Sequence, residues 1–243
     1  MTLGTLELEM DLDLRQGNTG SLSEDTFRRL SNIMKDHFFP KKSYLFWEGD
    51  TSDKLFFVKS GSVKITKSTH EGKEFTLYVF QAGDLICHGS PLVQTKHSYT
   101  AEIMESATIG IMDQQDVQEL IYQHPTISHD FIKWLGTQHL ITQSKLRDLL
   151  FFGKHAALCS TILRLCNSYG EKVGDHIVIR QKLTHLELSN MISATRESVN
   201  RMIIELRAQD VLEYKDGIIK VKDLSYFEDS CHCETCSSEI CRM

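Results

Sequence analysis

Residues 183–212 read LTHLELSNMISATRESVNRMIIELRAQDVL. Thr184-His185-Leu186-Glu187 has the spacing of a capping box, in which the threonine caps a helix start and the glutamate reaches back to it. That helix is expected to run to about Ile192. Ser193-Ala194 then makes a short turn, and Thr195 caps a second helix. Val199, Met202, Ile203 and Leu206 recur at i, i+3, i+4 and i+7, so they form its buried face. Arg196, Glu197, Asn200 and Arg201 lie on the opposite side, with Thr195 and Ser198 beside them in the first two turns. Two helices, a tight turn and a polar start to the second are the plan of a helix-turn-helix, whose second helix enters the DNA major groove. Residues 212–215 and 218–221, joined by Asp216-Gly217, read as a hairpin wing. An Arg-Glu pair at a helix start would alone signify a solvated ion pair. Here it shares its face with Arg201 and stands between a capped helix and a hairpin.

The charge distribution agrees with this reading, although the total does not. The 243 residues carry a formal net charge of −6, which by itself argues against nucleic acid. Residues 1–25 and 223–243 are rich in acids, whereas residues 180–222 are net basic, a modest electrostatic footprint where the helix pair lies. Apolar content of 41% and charged content of 25% are ordinary for a globular chain. No apolar run reaches the length of about 18 residues that a membrane span needs. The first residues are acidic and lack the apolar core of a signal peptide. The expectation is a cytoplasmic protein with no membrane partner.

Upstream of the helix pair the pattern changes twice. From about His37 to Met112, short strand-like runs occur at residues 44–47, 55–58, 63–66, 75–80, 99–103 and 107–112. Gly49, Gly61, Gly72 and Gly83 punctuate them, and Gly61-Ser62 and Glu71-Gly72 read as hairpin turns. Regular short strands of this kind suggest a small sandwich or barrel. Before them, Phe27, Leu30 and Met34 mark one face of a short helix. After Pro125, a long helix is expected over residues 126–150. Ile127, Phe131, Trp134, Gln138 and Ile141 step by four and three along it, a coiled-coil-like seam that continues to Lys145 and Asp148. These residues are expected to form a dimer interface. Ala156 to Cys166 reads as another helix, and Gly170 and Gly174 bracket a turn.

With these residues in view, the chain resembles the cAMP-receptor/FNR superfamily of transcription regulators, whose order of β-roll, long dimer helix and C-terminal winged helix-turn-helix covers nearly all of it. The motif TRESVNR at 195–201 is similar to the cAMP-receptor version rather than the enteric FNR version, because an arginine precedes Glu197. The implied fold is α+β: an antiparallel N-terminal β-roll like a cyclic-nucleotide-binding domain, the dimerisation helix, and the winged domain. The expected divisions are an acidic segment and helix (1–36), β-roll (37–125), dimerisation helix (126–150), DNA-binding domain (151–227) and cysteine-rich tail (228–243). Arginine can grip guanine O6 and N7, and glutamate can accept from cytosine N4. Arg196 and Arg201 would therefore read guanines and Glu197 a cytosine. The resemblance implies TGTGA-type half-sites in palindromic double-stranded DNA, a homodimer to read them, and RNA polymerase as a partner.

Cyclic-nucleotide-binding members hold the phosphate with an arginine, and the matching stretch, roughly Gly83 to Thr108, contains none. No arginine occurs between Arg29 and Arg147. Lys96 and His97 lack the planar fork, so no cAMP site is expected and the β-roll is read as a scaffold. A cupin-type enzyme would need clustered ligands, yet His88 and His97 are isolated and no H-x-H pair occurs, so no enzyme is expected.

The tail carries Cys231, Cys233, Cys236 and Cys241, whereas Cys87, Cys159 and Cys166 are scattered and read as packing. Four thiols in a polar terminal segment point to metal or redox chemistry. Zinc, a redox thiol pair and an iron–sulfur cluster all remain open on spacing. Resemblance to the Fnr-type anaerobic regulators of bacilli implies a 4Fe-4S cluster, one per subunit, on Cys233, Cys236 and Cys241. In that group the fourth ligand is a carboxylate from the dimer helix, here best matched by Asp148, with Cys231 as the competing ligand. The resemblance thus implies an oxygen-responsive activator of anaerobic respiration genes. The same dimer with a zinc or thiol-redox tail is the alternative.

Overall fold

The computed structural model describes residues 17–233 and 236–243; the rest of the expected acidic segment, residues 1–16, lies outside them. The chain divides into two compact units. The first comprises the residues up to Lys67 together with 77–136, and the second comprises 68–76 and 137–243.

The first unit begins with helix α1 (Glu24–Ile33), capped by Ser23, whose side chain accepts from the Thr26 N–H. Eight strands follow: β1 (Lys35–Phe39), β2 (Tyr44–Phe46), β3 (Thr51–Ser52), β4 (Lys54–Ser68), β5 (Glu74–Gln81), β6 (Leu85–Ile86), β7 (Thr95–Lys96) and β8 (Thr100–Asp113). Antiparallel ladders join β8 to β1, β2 and β4, β4 to β6, and β3 to β7, and β5 hydrogen-bonds to β4. Four runs expected as separate strands fuse into two long ones, β4 and β8. Gly61 therefore does not turn a hairpin. It sits inside β4 at a bulge, with φ +80°, where an added Cβ would lie 2.5 Å from the Ser106 carbonyl oxygen. A bulge and a turn both select a left-handed glycine, so sequence alone cannot separate them. The second expected turn is present: Gly72, with φ +79°, donates its N–H to Thr69 O between β4 and β5.

Side chains alternate between two cores, as strand geometry requires. Phe56, Val58, Val63, Ile103 and Ile109 fill the inside of the roll. Leu55, Phe57, Leu85 and Met112 pack outward against α1, helix α2 (Gln114–Gln123) and the start of helix α3 (Pro125–Phe151). Asp130 of α3 accepts from the Ser23 N–H and hydroxyl at 2.9 and 2.6 Å, tying α3 to the start of α1.

This packing corrects the expected dimer seam. Ile127, Phe131 and Trp134 are 0%, 3% and 2% exposed and belong to the outer core of their own unit. Ile141 is also buried, and Gln138 is half-buried with its Nε2 enclosed and unpartnered among the described residues. Among the exposed positions of α3, Ile132, Gly136, His139, Gln143, Leu146 and Leu150 also step by four and three. Two heptad-like rows thus run along one helix. The row with large aromatics turns inward because each fully buried aromatic or aliphatic side chain contributes about 1.5–3 kcal/mol.

The second unit contains the rest of α3, helix α4 (Gly153–Tyr169), strands β9 (Gly170–Val173) and β10 (His176–Ile179), helices α5 (His185–Met191) and α6 (Arg196–Ala208), strands β11 (Leu212–Lys215) and β12 (Ile218–Val221), and helix α7 (Leu224–Ser230). The wing is part of a larger sheet in the order β11-β12-β10-β9. Asp216 and Gly217 both have positive φ, the conformation of a tight two-residue hairpin. Helix α4 is buried from Ala156 through Cys166, so it forms the centre of this unit.

Candidate DNA-reading face and thiol centre

Local chemistry places the reading helix. The Thr184 N–H donates to Glu187 Oε2 at 2.7 Å, and the Glu187 N–H donates to Thr184 Oγ1 at 3.2 Å, completing the capping box. The turn is tight: Ser193 has φ +50°, and the Ala194 N–H donates to Ser189 O at 3.0 Å. Thr195 caps α6 by accepting from the Ser198 N–H at 3.2 Å. Val199, Met202, Ile203 and Leu206 are buried as expected. Arg196, Glu197, Asn200 and Arg201 are exposed, Thr195 is exposed, and Ser198 is half-buried. Arg196, Glu197 and Arg201 form no salt bridge among the described residues, which leaves their donors and acceptors turned to solvent. By contrast, Lys222 is engaged by Asp210 and Glu213 at 2.6 and 2.8 Å. Arg196 and Arg201 thus present guanidinium groups, unpaired among the described residues, on the exposed face of α6. His185 stacks on Tyr214 of the wing, with ring centroids 4.7 Å apart, beside Arg196 in one shallow pocket. Burial, and then Arg196, lowers the pKa of His185.

In the β unit, Asp84 of the Gly83-Asp84-Leu85 turn is 1% exposed. Its carboxylate accepts from the Asn18 and Gln81 N–H groups at 2.7 and 2.9 Å, so it is part of the frame. His97 is buried and stacks on Phe46 at 3.6 Å, and burial with His88 nearby holds its pKa down at about 4. A neutral, enclosed imidazole is a poor partner for a phosphate. Lys96 is exposed in β7.

The tail folds against α3 and α4. Cys231 and Cys241 are buried, and Cys233 and Cys236 are half-buried. Cys231 is pushed up to about 12 by burial, with Cys233, Asp148, Cys159 and Cys241 adding to it. Cys241 is pushed up to about 11 by burial; Arg164 opposes that shift, and Cys236 and Cys233 reinforce it. Among the thiols with a resolved shift, only Cys231 feels Asp148, and no group of three side chains suited to hold a metal ion is assembled among the described residues. Cys236 and Ile240 line a groove with Leu140, Gln143, Ser144 and Arg147 of α3. Burial, with Arg164 and Arg242 adding to it, pushes the pKa of Lys145 well down.

Asp148 is neither a surface acid nor a helix cap. It is 4% exposed. Its Oδ1 accepts from Arg147 at 2.7 Å, and its Oδ2 accepts from Arg164 at 2.9 Å and from Ser160. Sequence reasoning missed Arg164, Ser144 and Ser160. An arginine inside the apolar run of residues 162–165, ILRL, was the available signal, because a buried guanidinium requires acceptors. Cys159 and Cys166 are buried in α4, and burial pushes both up to about 12, as it does Cys87.

Residues 36–124 match the cyclic nucleotide-binding domain family, and residues 156–229 match the Crp-like helix-turn-helix domain. The anaerobic regulatory protein of Bacillus subtilis (strain 168) is 32% identical over 234 residues, 96% of this chain and 98% of that protein. The chain belongs to the CRP/FNR family of transcription regulators. Its members are DNA-binding homodimers rather than enzymes, and this chain carries the family's DNA-binding domain. A CRP-like cAMP-activated global transcriptional regulator of Mycobacterium tuberculosis (strain ATCC 25618 / H37Rv) is 23% identical over 185 residues, 76% of this chain and 83% of that protein. Among solved structures, FixK2 from Bradyrhizobium japonicum superposes with a TM-score of 0.72 at 12% identity, covering 81% of this chain and 96% of that one. A CooA mutant from Carboxydothermus hydrogenoformans gives 0.68 at 24% identity, over 82% and 88%. These likenesses establish the fold. No helix among the described residues is long and apolar enough to cross a membrane.

Proposed function

We propose that this regulator is an oxygen-responsive activator of anaerobic respiration genes whose tail holds one 4Fe-4S cluster per subunit. Cys233, Cys236 and Cys241 would be three ligands, and Asp148 the fourth. The observation that carries the reading is that Arg164 hydrogen-bonds both Asp148 and the Ile240 carbonyl beside Cys241, while Cys236 lines a groove against Ser144 and Arg147 of α3. The donor set fits such a group: soft thiolates favour iron–sulfur centres, and the Arg164 guanidinium offsets part of the negative charge at Cys241. When bound, the cluster supplies a centre that dioxygen destroys. The burial-raised thiols must lose protons on ligation, so loading is coupled to proton release. Asp148 must give up a hydrogen bond from Arg147 or Ser160 to free an oxygen. Cys231, buried and close to Cys233, is the rival fourth ligand.

The remaining steps belong to the chain's own residues. The tail follows α7 of the DNA-binding domain, so holding it at α3 fastens that domain to the helix that carries the exposed dimer row. Thr195, Arg196, Glu197, Ser198, Asn200 and Arg201 would then read TGTGA-type half-sites in a palindrome, with RNA polymerase as the recruited partner. Half-sites read by two recognition helices stand about 34 Å apart. The β unit would serve as scaffold without cAMP, since its buried His97 and exposed Lys96 offer no phosphate clamp.

The test is the visible absorption and the iron and sulfide content of protein purified without oxygen, before and after exposure to air. Brown protein with near-equal iron and sulfide that bleaches in air is expected. Colourless protein that holds zinc and takes up no cluster on anaerobic reconstitution would remove the oxygen mechanism and leave a DNA-binding dimer with a zinc or thiol-redox tail.

A further inference from the structure

Arg164 stands in the middle of α4 and is 3% exposed. A buried guanidinium is costly unless its donors are met. Here two of its nitrogens reach three acceptors. Nη2 donates to Asp148 Oδ2 at 2.9 Å and to Ser144 Oγ, and Nη1 donates to the Ile240 carbonyl oxygen at 3.2 Å. Asp148 and Ser144 belong to α3, whereas Ile240 immediately precedes Cys241. Two neighbours on α4 extend the hold on the tail. Asn167 Nδ2 donates to the Cys241 carbonyl at 2.8 Å, and Ser168 Oγ accepts from the Met243 N–H at 3.0 Å.

We propose that Arg164 is the positioning residue of the thiol centre, holding the Asp148 carboxylate and the backbone before Cys241 in one arrangement. Its consequence for a cluster rests on the preceding reading, but the placement itself does not. The geometry asks for arginine in particular. A planar fork can serve acceptors on two sides at fixed angles, whereas a lysine ammonium is a point charge on a flexible stem. A guanidinium that served only as a core ion pair would stop at Asp148. This one also grips the tail.

The experiment uses full-length, metal-free protein, pulse-alkylated with iodoacetamide and read peptide by peptide by mass spectrometry. In Arg164→Lys, Cys241 is expected to react about tenfold faster than in wild type, while Cys233 and Cys236 change less than about twofold, because local opening is confined to the released segment. Cys159 and Cys166, buried in α4 itself, stay protected and report that the helix is folded. Asn167→Ala, which leaves the Asp148 contacts in place, should raise Cys241 reactivity by a smaller factor. Unchanged Cys241 reactivity in Arg164→Lys overturns the proposal. Equal loss of protection at Cys159, Cys166 and Cys241 also overturns it, since the arginine would then support α4 as a whole. Anaerobic reconstitution of the same proteins separates the two readings. If wild type takes up no iron and sulfide while Cys241 responds as expected, the cluster reading fails and the placement stands. If both load, Arg164→Lys should bleach about fivefold faster in air, as expected when one ligand is less well preorganised.

Discussion

Arg196 illustrates what single residues contribute. It is exposed at the first turn of α6, without an ion pair among the described residues to satisfy it, so its fork is available to a base. Arg196→Ala should weaken binding to a TGTGA palindrome by about 1–3 kcal/mol and relax discrimination at the matching guanine. A binding isotherm against sites substituted at each position checks this; an equal loss on every sequence would make Arg196 a phosphate contact instead. His97 makes the opposite kind of contribution. Burial, with His88 adding, holds it at about 4 in the folded chain, against an ordinary value of 6.5. As pH falls from about 6.5 the unfolded chain takes up the proton first, so stability is full above that pH, declines through the interval and levels off below about pH 4. The loss should amount to about 3 kcal/mol. In His97→Leu, urea unfolding between pH 4 and 7 should show that much less pH dependence, and parallel curves for the two proteins would remove His97 as the cause.

Elements were legible to different degrees. The helix pair and the wing are written in local chemistry, so Thr184, Glu187, Thr195 and Asp216-Gly217 mark them wherever the domain sits. The strands were harder to read. β4 and β8 appear in the sequence as four runs because bulges at Ser60–Ser62 break the alternation, and a bulge uses the same glycine as a turn. The long helix was found, but Ile127, Phe131 and Trp134 of the expected seam pack into the core of their own unit. Ile127, Phe131 and Trp134 are as heptad-like as Ile132, Gly136, His139, Gln143, Leu146 and Leu150, and periodicity carries no label for what a face meets. Whether the exposed row is a dimer face can be tested directly. Leu146→Asp should weaken self-association at least about tenfold, since a desolvated charge is costly at an interface. Phe131→Ala should instead destabilise its own unit by about 3–5 kcal/mol and leave the dimer in place. Sedimentation against concentration, with urea melts of both variants, checks the pair; dissociation caused by Phe131→Ala alone would restore the original seam.

At the scale of the whole molecule, the family's order of parts was readable end to end because each part has its own signature. Strand runs punctuated by glycines, a long helix after Pro125, a capped helix pair and a terminal thiol cluster follow one another without repeats. The net-basic residues 180–222 also fall within the stretch that matches the Crp-like helix-turn-helix domain, even though the net charge is −6. What the sequence by itself determined are those features set by neighbours along the chain: caps, turns, the polar face of α6, and which residue types are available to a metal. Tertiary structure alone decided which row of α3 is buried, that Asp148 lies inside a ring of hydrogen bonds from Arg147, Ser160 and Arg164, and that Arg164 reaches the tail. The physical reason is separation along the chain. Arg164 and Ile240 lie 76 residues apart, and only packing brings a buried guanidinium and a terminal carbonyl to hydrogen-bonding distance.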